Sequence, residues 1–270
     1  MGLFCMAAVL GCASRVEPRD ARGVPFSPSA RGFISKDVMV LGQVRKYSVF
    51  VPPRYDPAVR YPALVFLHGV GESGSDGIAP TTVGIGPEID RRNGDFPFIV
   101  IFPQSTGRWA SDEAGAIAIA ALDDAMRSYS IDPQRVALTG LSIGGTGTWK
   151  IGAAYRHRFA ALIPLSGFSA YAAVPKLLTI PIWSFHYSAD PLASSANSRT
   201  MCERIMSAGG NATYTEYAGF SHFVWTRAYA RDDLWQWVLS QRLSPDAQAD
   251  LAGRHEVRRD RDTDDEHDLE

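Results

Sequence analysis

Two short, continuous apolar segments constrain the fold of this chain more than any other feature. Residues 61–68 (YPALVFLH) and 96–102 (FPFIVIF) carry almost no polar side chains. Such runs are typical of strands buried on both faces, as happens in a parallel sheet covered by helices on both sides. Residues 111–130 show helical spacing of apolar side chains and lie after the second of these strands. We therefore predict an α/β domain with a mostly parallel central sheet and helices on both faces.

The other predicted elements continue this alternation. The sheet opens with an antiparallel pair of strands, residues 33–41 and 44–51, which turn at Gly42. The remaining predicted strands are residues 135–139, 159–165, 180–186 and 213–217. The remaining predicted helices are residues 143–157, 193–208 and 232–241. Ligands of such sheets bind just outside the carboxyl ends of the strands, so we expect functional side chains directly after strands.

One glycine-flanked serine stands between a predicted strand and a predicted helix. Gly140, Ser142 and Gly144 form the pattern G-x-S-x-G. The turn at such a serine is tight, and its neighbours must lack bulky side chains. We predict that Ser142 is a nucleophile. The backbone N–H of Ile143 and the positive end of the following helix would face the oxyanion that forms during its attack.

A histidine and an acid are expected after a serine of this type in the chain. His222 follows the predicted strand 213–217, whereas the other histidines come too early, lie inside helices or strands, or belong to the charged C-terminus. Only one acid between the serine and His222 lies just beyond a strand end, and that is Asp190. We predict that His222 is the general base and that Asp190 orients it. The alternative for Asp190, which precedes Pro191, is a turn-forming role alone.

A second glycine turn follows the first buried strand. His68 and Gly69 end that strand, and Val70 comes next. A backbone N–H at this place, that of Val70, would face the N–H of Ile143, and the pair would hold a tetrahedral oxyanion. A donor of this kind is typically worth about 3 kcal/mol to the transition state. The alternative is a plain turn.

Composition and spacing exclude several functional classes. The formal net charge is −2, which gives no basic surface for nucleic acid. Neither C-x-x-C nor H-E-x-x-H spacing occurs, so we expect no metal and no cofactor. Cys202 lies in a predicted helix and is expected to be a small buried apolar residue.

Both ends of the chain differ from its middle. Residues 2–13 are apolar but too short to span a bilayer, and they resemble the apolar region of a secretory signal. Val9-Leu10-Gly11-Cys12 resembles the lipobox of bacterial lipoproteins, which makes Cys12 a candidate lipidation site and the only expected link to a membrane. We expect an exported protein, periplasmic or anchored as a lipoprotein. An unstructured leader is the alternative, because no Lys or Arg precedes Arg15, and the protein would then be cytoplasmic.

These boundaries define four predicted segments. Residues 1–13 are the leader, 14–31 a linker rich in Pro, Arg, Ser and Gly, 32–243 the catalytic domain, and 244–270 an unstructured charged tail. From residue 254 onward the tail holds four arginines and eight acidic residues, and it has too few apolar side chains to order itself.

Together these motifs resemble the α/β-hydrolase superfamily, and within it the group of predicted esterases near the feruloyl and acetyl-xylan esterases and the phospholipase/carboxylesterase-like proteins. The similar segments include LHGVGESGSDG, IDPQRVALTGLSIGGTGTW, PIWSFHYSADP and YTEYAGFSHFVWTRAY, and the resemblance covers roughly residues 44–241. It implies Ser142, Asp190 and His222 as triad, and Val70 with Ile143 as oxyanion hole. The chain departs from the family at His186-Tyr187, where an H-G pair is usual.

The resemblance implies a serine esterase, and other interpretations remain open. The expected substrates are short-acyl or aromatic-acyl esters, either small or carried on a polysaccharide. Trp109, Tyr187 and Trp225 are candidate substrate contacts, and core packing is the alternative for the tryptophans. A prolyl-oligopeptidase-like peptidase shares the triad, and a non-catalytic binding module would share the fold. Residues 168–179 and 69–95 are too short or too regular for a large cap, so we expect an open site.

Overall fold

The computed structural model describes residues 32–249. The predicted leader with Cys12, the linker up to residue 31 and residues 250–270 of the predicted tail lie outside the described residues. The strands are β1 Gly32–Val40, β2 Gln43–Val51, β3 Tyr61–Leu67, β4 Ile99–Pro103, β5 Ile131–Leu141, β6 Ala161–Leu165, β7 Ile182–Tyr187 and β8 Ala212–Tyr217. The α-helices are α1 Ile85–Arg91, α2 Asp112–Ser128, α3 Ile143–Ala154, α4 Val174–Leu177, α5 Ser195–Ser207, α6 Trp225–Tyr229 and α7 Asp232–Ser240.

All eight strands form one sheet in the order β1-β2-β4-β3-β5-β6-β7-β8. The pairs β1–β2 and β2–β4 are antiparallel. Every other neighbouring pair, from β4 through β8, is parallel. The predicted α/β fold, with a mostly parallel sheet that opens with an antiparallel pair, is confirmed.

Alternate side chains of the central strands bury two apolar layers. On β3, Ala63, Val65 and Leu67 pack into the layer formed with α2, α3 and α5. Leu64 and Phe66 point the other way, into the layer formed with α1, α6 and α7. Each fully buried Leu, Val or Phe contributes roughly 1.5–3 kcal/mol. Because helices cover both faces, the carboxyl edge of the parallel strands is where loops can bring polar groups together.

Strand β5 begins earlier than the sequence predicted, at Ile131 instead of residue 135. The register between β3 and β5 shifts between the Tyr61–Ile131 and Ala63–Val136 pairs. Pro133 lies inside this irregularity, where its missing N–H removes no ladder hydrogen bond.

Neither long connection builds a cap within the described residues. Between β6 and β7 the chain makes a 3-10 turn, Tyr171–Ala173, and then α4. Leu177 of α4 is fully buried, so this short helix packs against the domain. Between β3 and β4, α1 likewise buries Ile85 and Ile89 against the sheet.

The folded domain extends past the boundary predicted at residue 243. Residues 245–249 are helical, and Ala247 is buried. The N–H of Leu243 donates to the carbonyl of Gln134 at 2.9 Å. Leu243, just before this helix, is buried as well, and the strong charge of the later tail hides this apolar signal in the sequence. No helix among residues 32–249 is long and apolar enough to cross a membrane.

Candidate active site

Ser142 occupies a strained turn between β5 and α3. Its φ of 56° and ψ of −119° are rare for a residue with a side chain, and such a conformation costs on the order of 1–3 kcal/mol. A Cβ on Gly144 would lie 2.0 Å from the carbonyl oxygen of Leu67, and one on Gly140 would lie 2.5 Å from the carbonyl oxygen of Gly144. The flanking glycines are therefore required by the close approach of backbone to backbone.

Three polar side chains from three loops form one hydrogen-bonded line. His222 Nε2 lies 2.9 Å from Ser142 Oγ, and His222 Nδ1 lies 2.7 Å from Asp190 Oδ2. Because Nδ1 faces a carboxylate, it carries the proton and donates it to this hydrogen bond, which leaves Nε2 free to accept from the serine hydroxyl. The structure thus brings together the serine, histidine and acid that the sequence predicted.

The Asp190 carboxyl is ionised by its surroundings. Its side chain is fully buried. Burial alone would raise its pKa, but hydrogen bonds from the N–H groups of Leu192 and Ala193 and from the His222 ring outweigh it, and the pKa lies below its usual value. The N–H of Leu192 donates to Oδ1 at 2.8 Å and that of Ala193 at 3.0 Å. A buried carboxylate held in this way can stabilise an imidazolium at His222.

His222 is fixed through both its backbone and its ring. Its carbonyl accepts a hydrogen bond from Ser166 Oγ at 2.9 Å. The Trp225 ring stands edge-on to the imidazole, with ring centroids 5.5 Å apart and an interplanar angle of 88°. Trp225 is 7 % exposed, so the predicted substrate contact lies beside the base and supports it from one side.

The residues predicted as oxyanion donors each begin a helical turn. Val70 starts the 3-10 turn Val70–Glu72, and Ile143 starts α3. The N–H of a first helical residue has no acceptor within its own helix, so both groups can serve another partner. Gly69 brings the first turn against the nucleophile, since a Cβ at Gly69 would lie 3.9 Å from Ser142 Cβ.

A set of buried polar groups that sequence analysis missed holds the oxyanion loop, which we define as residues 69–78. His68 Nδ1 lies 2.6 Å from the carbonyl oxygen of Gly69, and the N–H of Ser105 donates to His68 Nε2 at 3.1 Å. Burial lowers the pKa of His68, consistent with a neutral ring protonated on Nδ1. Gln104 donates to the carbonyl of Glu72 at 2.9 Å and accepts from the N–H of Gly77 at 2.6 Å.

These contacts join residues after β3 to residues after β4. His68 and Gln104 are far apart in sequence and no motif links them, so only the parallel pairing of β3 with β4 brings them together. The one sequence signal for these two residues is that each is polar and directly follows a buried strand.

The structure does not place Trp109 where a substrate can reach it. Its side chain is fully buried, and its N–H donates to the carbonyl of His68 at 3.0 Å. Trp109 also packs against α3, where a Cβ on Gly147 would lie 2.3 Å from Trp109 Cβ. The candidate role as a substrate contact is therefore wrong, because the side chain is needed as a support behind His68. Tyr187 is half-buried and packs on Tyr217, with centroids 5.9 Å apart.

Exposed apolar side chains surround the site. They lie on the loops after β3, β6, β7 and β8, the same edge of the sheet that carries the triad. We call them the apolar rim: Val70, Phe168, Leu192, Phe220 and Phe223. Phe220 is 79 % exposed and Phe223 62 %, and the two flank His222 in the chain. Their one signal in the sequence is that they lie close to the predicted site residues.

Comparison with known proteins places the chain among hydrolases of one fold. Residues 112–231, which include all three triad positions, match the family described as Phospholipase/Carboxylesterase. A thermostable esterase superposes with a TM-score of 0.72 at 29 % identity, covering 78 % of this chain and 63 % of the other. The feruloyl esterase module from Clostridium thermocellum, complexed with sinapinate, superposes with a TM-score of 0.59 at 18 % identity over 77 % of this chain and 88 % of that module. Peptidases also share the fold.

Similarity to curated proteins covers only part of them. The bifunctional acetylxylan esterase/xylanase of Neocallimastix patriciarum is 26 % identical over 154 residues, which is 55 % of this chain and 22 % of that protein. The chain spans about a quarter of the length of the curated relatives it matches. Fold, family match and structural similarity agree: the chain has the α/β-hydrolase fold and is similar to esterases of that fold.

Proposed function

We propose that the protein is a carboxylic ester hydrolase that works through an acyl-enzyme on Ser142. The observation that carries this proposal is the hydrogen-bonded line from Ser142 through His222 to a buried, ionised Asp190. A serine in a strained turn, with a neutral acceptor nitrogen 2.9 Å from its oxygen, is arranged for attack on an acyl carbon.

The proposed reaction runs in two halves. His222 Nε2 takes the proton of Ser142 as Oγ bonds to the ester carbonyl carbon, and the N–H groups of Val70 and Ile143 receive the oxyanion. His222 then gives its proton to the leaving alcohol as the ester C–O bond breaks, and Ser142 keeps the acyl group. In the second half a water molecule attacks this acyl group, with His222 again as base, and the acid product and free serine are restored.

The proposed substrates are esters of short or aromatic acids, including ester groups carried on a polysaccharide. Three observations support this choice. No cap covers the site within the described residues, so a large alcohol portion can remain in solvent. The apolar rim offers phenylalanine side chains next to the base. The similar proteins include one named as an acetylxylan esterase and one named as a feruloyl esterase.

Labelling with a fluorophosphonate probe, followed by an ester panel, tests the proposal. The probe should modify Ser142 in the wild type and fail with Ser142→Ala, which should keep its fold and lose hydrolysis by several orders of magnitude. The panel compares acetyl, feruloyl and longer acyl esters with peptide substrates. Faster cleavage of peptides than of all esters would favour a peptidase, and absence of labelling on folded protein would favour a binding module.

The open site also predicts a simple dependence on substrate concentration. A medium-chain ester should be hydrolysed along an ordinary saturation curve through its solubility limit. A sharp rise in rate once droplets form would contradict an uncapped site, because interfacial activation requires a cover that moves aside.

We also propose export through the N-terminal leader, with a lipid anchor on Cys12. The support is the Val9-Leu10-Gly11-Cys12 sequence alone, which lies outside the described residues. Fractionation of the wild type and Cys12→Ala tests this. The wild type should sediment with membranes and the variant should be released, and a cytoplasmic location for both would contradict the anchor.

A further inference from the structure

The carboxylate of Asp190 is approached by four N–H groups, and only one of them belongs to the triad. Oδ1 accepts from the N–H groups of Leu192 and Ala193. Oδ2 accepts from His222 Nδ1 at 2.7 Å and lies 3.1 Å from His186 Nε2. An ionised carboxylate offers about four lone-pair positions, so it has room for all four N–H groups. Two imidazole rings therefore share one carboxylate oxygen.

The surroundings of His186 decide which of its nitrogens carries a proton. The residue lies on β7, one position before the strand ends, and is fully buried. Its Nε2 faces only acceptors, the Asp190 oxygen at 3.1 Å and the carbonyl oxygen of Ala193 at 3.0 Å. Nε2 is therefore protonated in any state that keeps these contacts, and its N–H is shared between the carbonyl of Ala193 and the carboxylate of Asp190.

The other ring nitrogen of His186 lies beside a hydroxyl that is also within hydrogen-bond distance of a backbone carbonyl. His186 Nδ1 lies 3.1 Å from Ser198 Oγ, and Ser198 Oγ lies 2.8 Å from the carbonyl oxygen of Gly167. One hydroxyl proton cannot serve both acceptors. Neutral His186 competes with Gly167 for it, while a doubly protonated ring would donate to Ser198 and satisfy every group. Burial opposes that second proton and lowers the pKa of His186.

Charged groups near His186 come from three elements. Asp190 and His222 follow β7 and β8 and have been described. On β8, Glu216 is the register partner of His186. Its carboxylate lies 2.5 Å from Arg199 Nη2 of α5 and 2.7 Å from the hydroxyl of Tyr214, so its charge is already paired. Asp190 is thus the only carboxylate among these groups in hydrogen-bond contact with His186.

We propose that His186 is a positioning residue of the candidate active site. Its Nε2–H holds Oδ2 of Asp190 in line with His222 and takes up part of the hydrogen-bonding capacity of that oxygen. Because Oδ2 is shared with His186, its hydrogen bond with His222 is weaker than it would be with His222 alone. His222 therefore releases its proton more readily to a leaving alcohol. The kinetic consequence rests on the proposed ester hydrolysis, whereas the arrangement of the rings does not.

The variants His186→Leu and His186→Gln test this proposal. Leucine fills a similar volume and has no donor, while the glutamine amide can place an N–H near the position of Nε2. For His186→Leu we expect kcat to fall about tenfold with KM within about twofold. The acid limb of its kcat/KM profile should move up by about half a pH unit, because an unshared carboxylate attracts the His222 proton more strongly. His186→Gln should return both values toward wild type.

Controls separate positioning from folding. His157→Leu removes a buried histidine outside the site and should leave the acid limb where it is. Circular dichroism and thermal unfolding establish that each variant is folded. A folded His186→Leu with a wild-type pH profile would overturn the proposal. A second result would also overturn it: His186→Leu loses kcat, its acid limb does not move, and His186→Gln does not recover. A residue with a purely structural role would give this result.

A measurement without substrate distinguishes failure of the positioning role from failure of the proposed ester hydrolysis. In nitrogen-resolved NMR spectra of the imidazole rings, His186 should be the tautomer protonated on Nε2. The Nδ1 proton of His222 should shift in His186→Leu and return in His186→Gln. An unshifted His222 proton would overturn the positioning role even if esters are cleaved. Absence of ester cleavage with the expected spectra would instead contradict only the proposed function.

Discussion

The two sides of the candidate active site are held by different kinds of interaction. On the triad side, which we define as the loops after β5, β7 and β8, a buried carboxylate accepts hydrogen bonds from two backbone N–H groups and from His222, and it lies 3.1 Å from Nε2 of His186. On the oxyanion side, the loop 69–78 is held by a neutral histidine, a glutamine amide and backbone groups. Two carboxylates are present there, and both accept from backbone N–H groups of the same segment: Glu72 from Gly69 at 3.0 Å and Asp76 from Ile78 at 2.6 Å.

This difference follows from what each side must do in the proposed ester hydrolysis. The triad side must stabilise a positive charge on His222, which requires a fixed negative charge close by. The oxyanion side must receive a negative charge that exists only briefly, which requires N–H groups fixed in advance. Substitutions on the triad side should therefore act through charge and protonation, and substitutions on the oxyanion side through position. The following predictions test that contrast in order of decreasing effect.

Asp190→Asn should have the largest effect, a fall in kcat/KM of about 10⁴-fold. The amide presents both an N–H₂ group and an oxygen to His222, and the ring loses the charge that fixes its tautomer. Steady-state rates with an activated ester measure this. Asp233→Asn is the control, because Asp233 is half exposed and pairs with Arg231 away from the triad. A loss smaller than about tenfold would remove the charge argument for the triad side.

Gly144→Ala should have the second-largest effect, because Gly144 lies where the triad side and the oxyanion side are in contact. A Cβ there would lie 2.0 Å from the carbonyl oxygen of Leu67 and 2.6 Å from that of His68, which leads into the oxyanion loop. The nucleophile turn and the oxyanion loop must separate, so we expect a loss of kcat of about 10²-fold or more. The free energy of unfolding should drop by about 1–3 kcal/mol.

Gly71→Ala is the matched control for this steric argument. It changes a glycine of the oxyanion loop whose Cβ would meet nothing within 4 Å. Its kcat and unfolding midpoint should stay near those of the wild type. Equal losses in the two variants would show that glycine flexibility, and not the close backbone approach at residue 144, is what the site requires.

Gln104→Leu should weaken the oxyanion side alone. The change removes an acceptor from the N–H of Gly77 and a donor from the carbonyl of Glu72. A buried group left without a partner costs about 1–3 kcal/mol. We expect kcat to fall about tenfold with an unchanged acid limb of kcat/KM, since no charge near His222 is altered. A shift of that limb would contradict the division of the site into a charged and a positional side.

The same division explains what the sequence could predict. Ser142, His222 and Asp190 were found because a strained turn demands glycines at fixed offsets and because strand ends place the other two. Most helices and strands followed from apolar periodicity. The exceptions are the early start of β5, the late start of β4 at Ile99, the short helix α6 and the ordered residues after 243. These features depend on local chemistry, which a sequence carries directly.

Contacts between distant segments could not be predicted in this way. Gln104 and Ser105 meet the oxyanion loop only because β3 and β4 are parallel neighbours. Trp109 was expected near the substrate from its position after a strand, but its burial against α3 depends on packing that no local pattern encodes. The contact of His186 with Asp190 has the same origin, since it depends on how the loop after β7 folds back on its strand.

Acid should weaken the triad side through Asp190. Its pKa is lower in the folded protein than the value of about 3.9 expected for an unfolded chain. A carboxyl of this kind contributes stability at pH values above the unfolded pKa, and that contribution is lost as the pH falls through the folded pKa. Urea unfolding of the wild type and Asp190→Asn should therefore differ most near neutral pH and converge below about pH 4. A difference that stays constant down to pH 2 would contradict an ionised Asp190.

The apolar rim should give the smallest effect, and one confined to substrate binding. Phe220 and Phe223 are exposed beside His222 but donate nothing to the triad. Phe220→Ser and Phe223→Ser should raise KM for an aromatic-acyl ester by a few-fold each, about 1 kcal/mol or less, with kcat unchanged. Val59→Ser is the control, since Val59 is 49 % exposed just before β3, at the opposite edge of the sheet. For an acetyl ester, which has no ring to contact the rim, both phenylalanine variants should match the wild type. An equal rise in KM for acetyl and aromatic esters would mean that these side chains shape the triad loop and do not contact the acyl group.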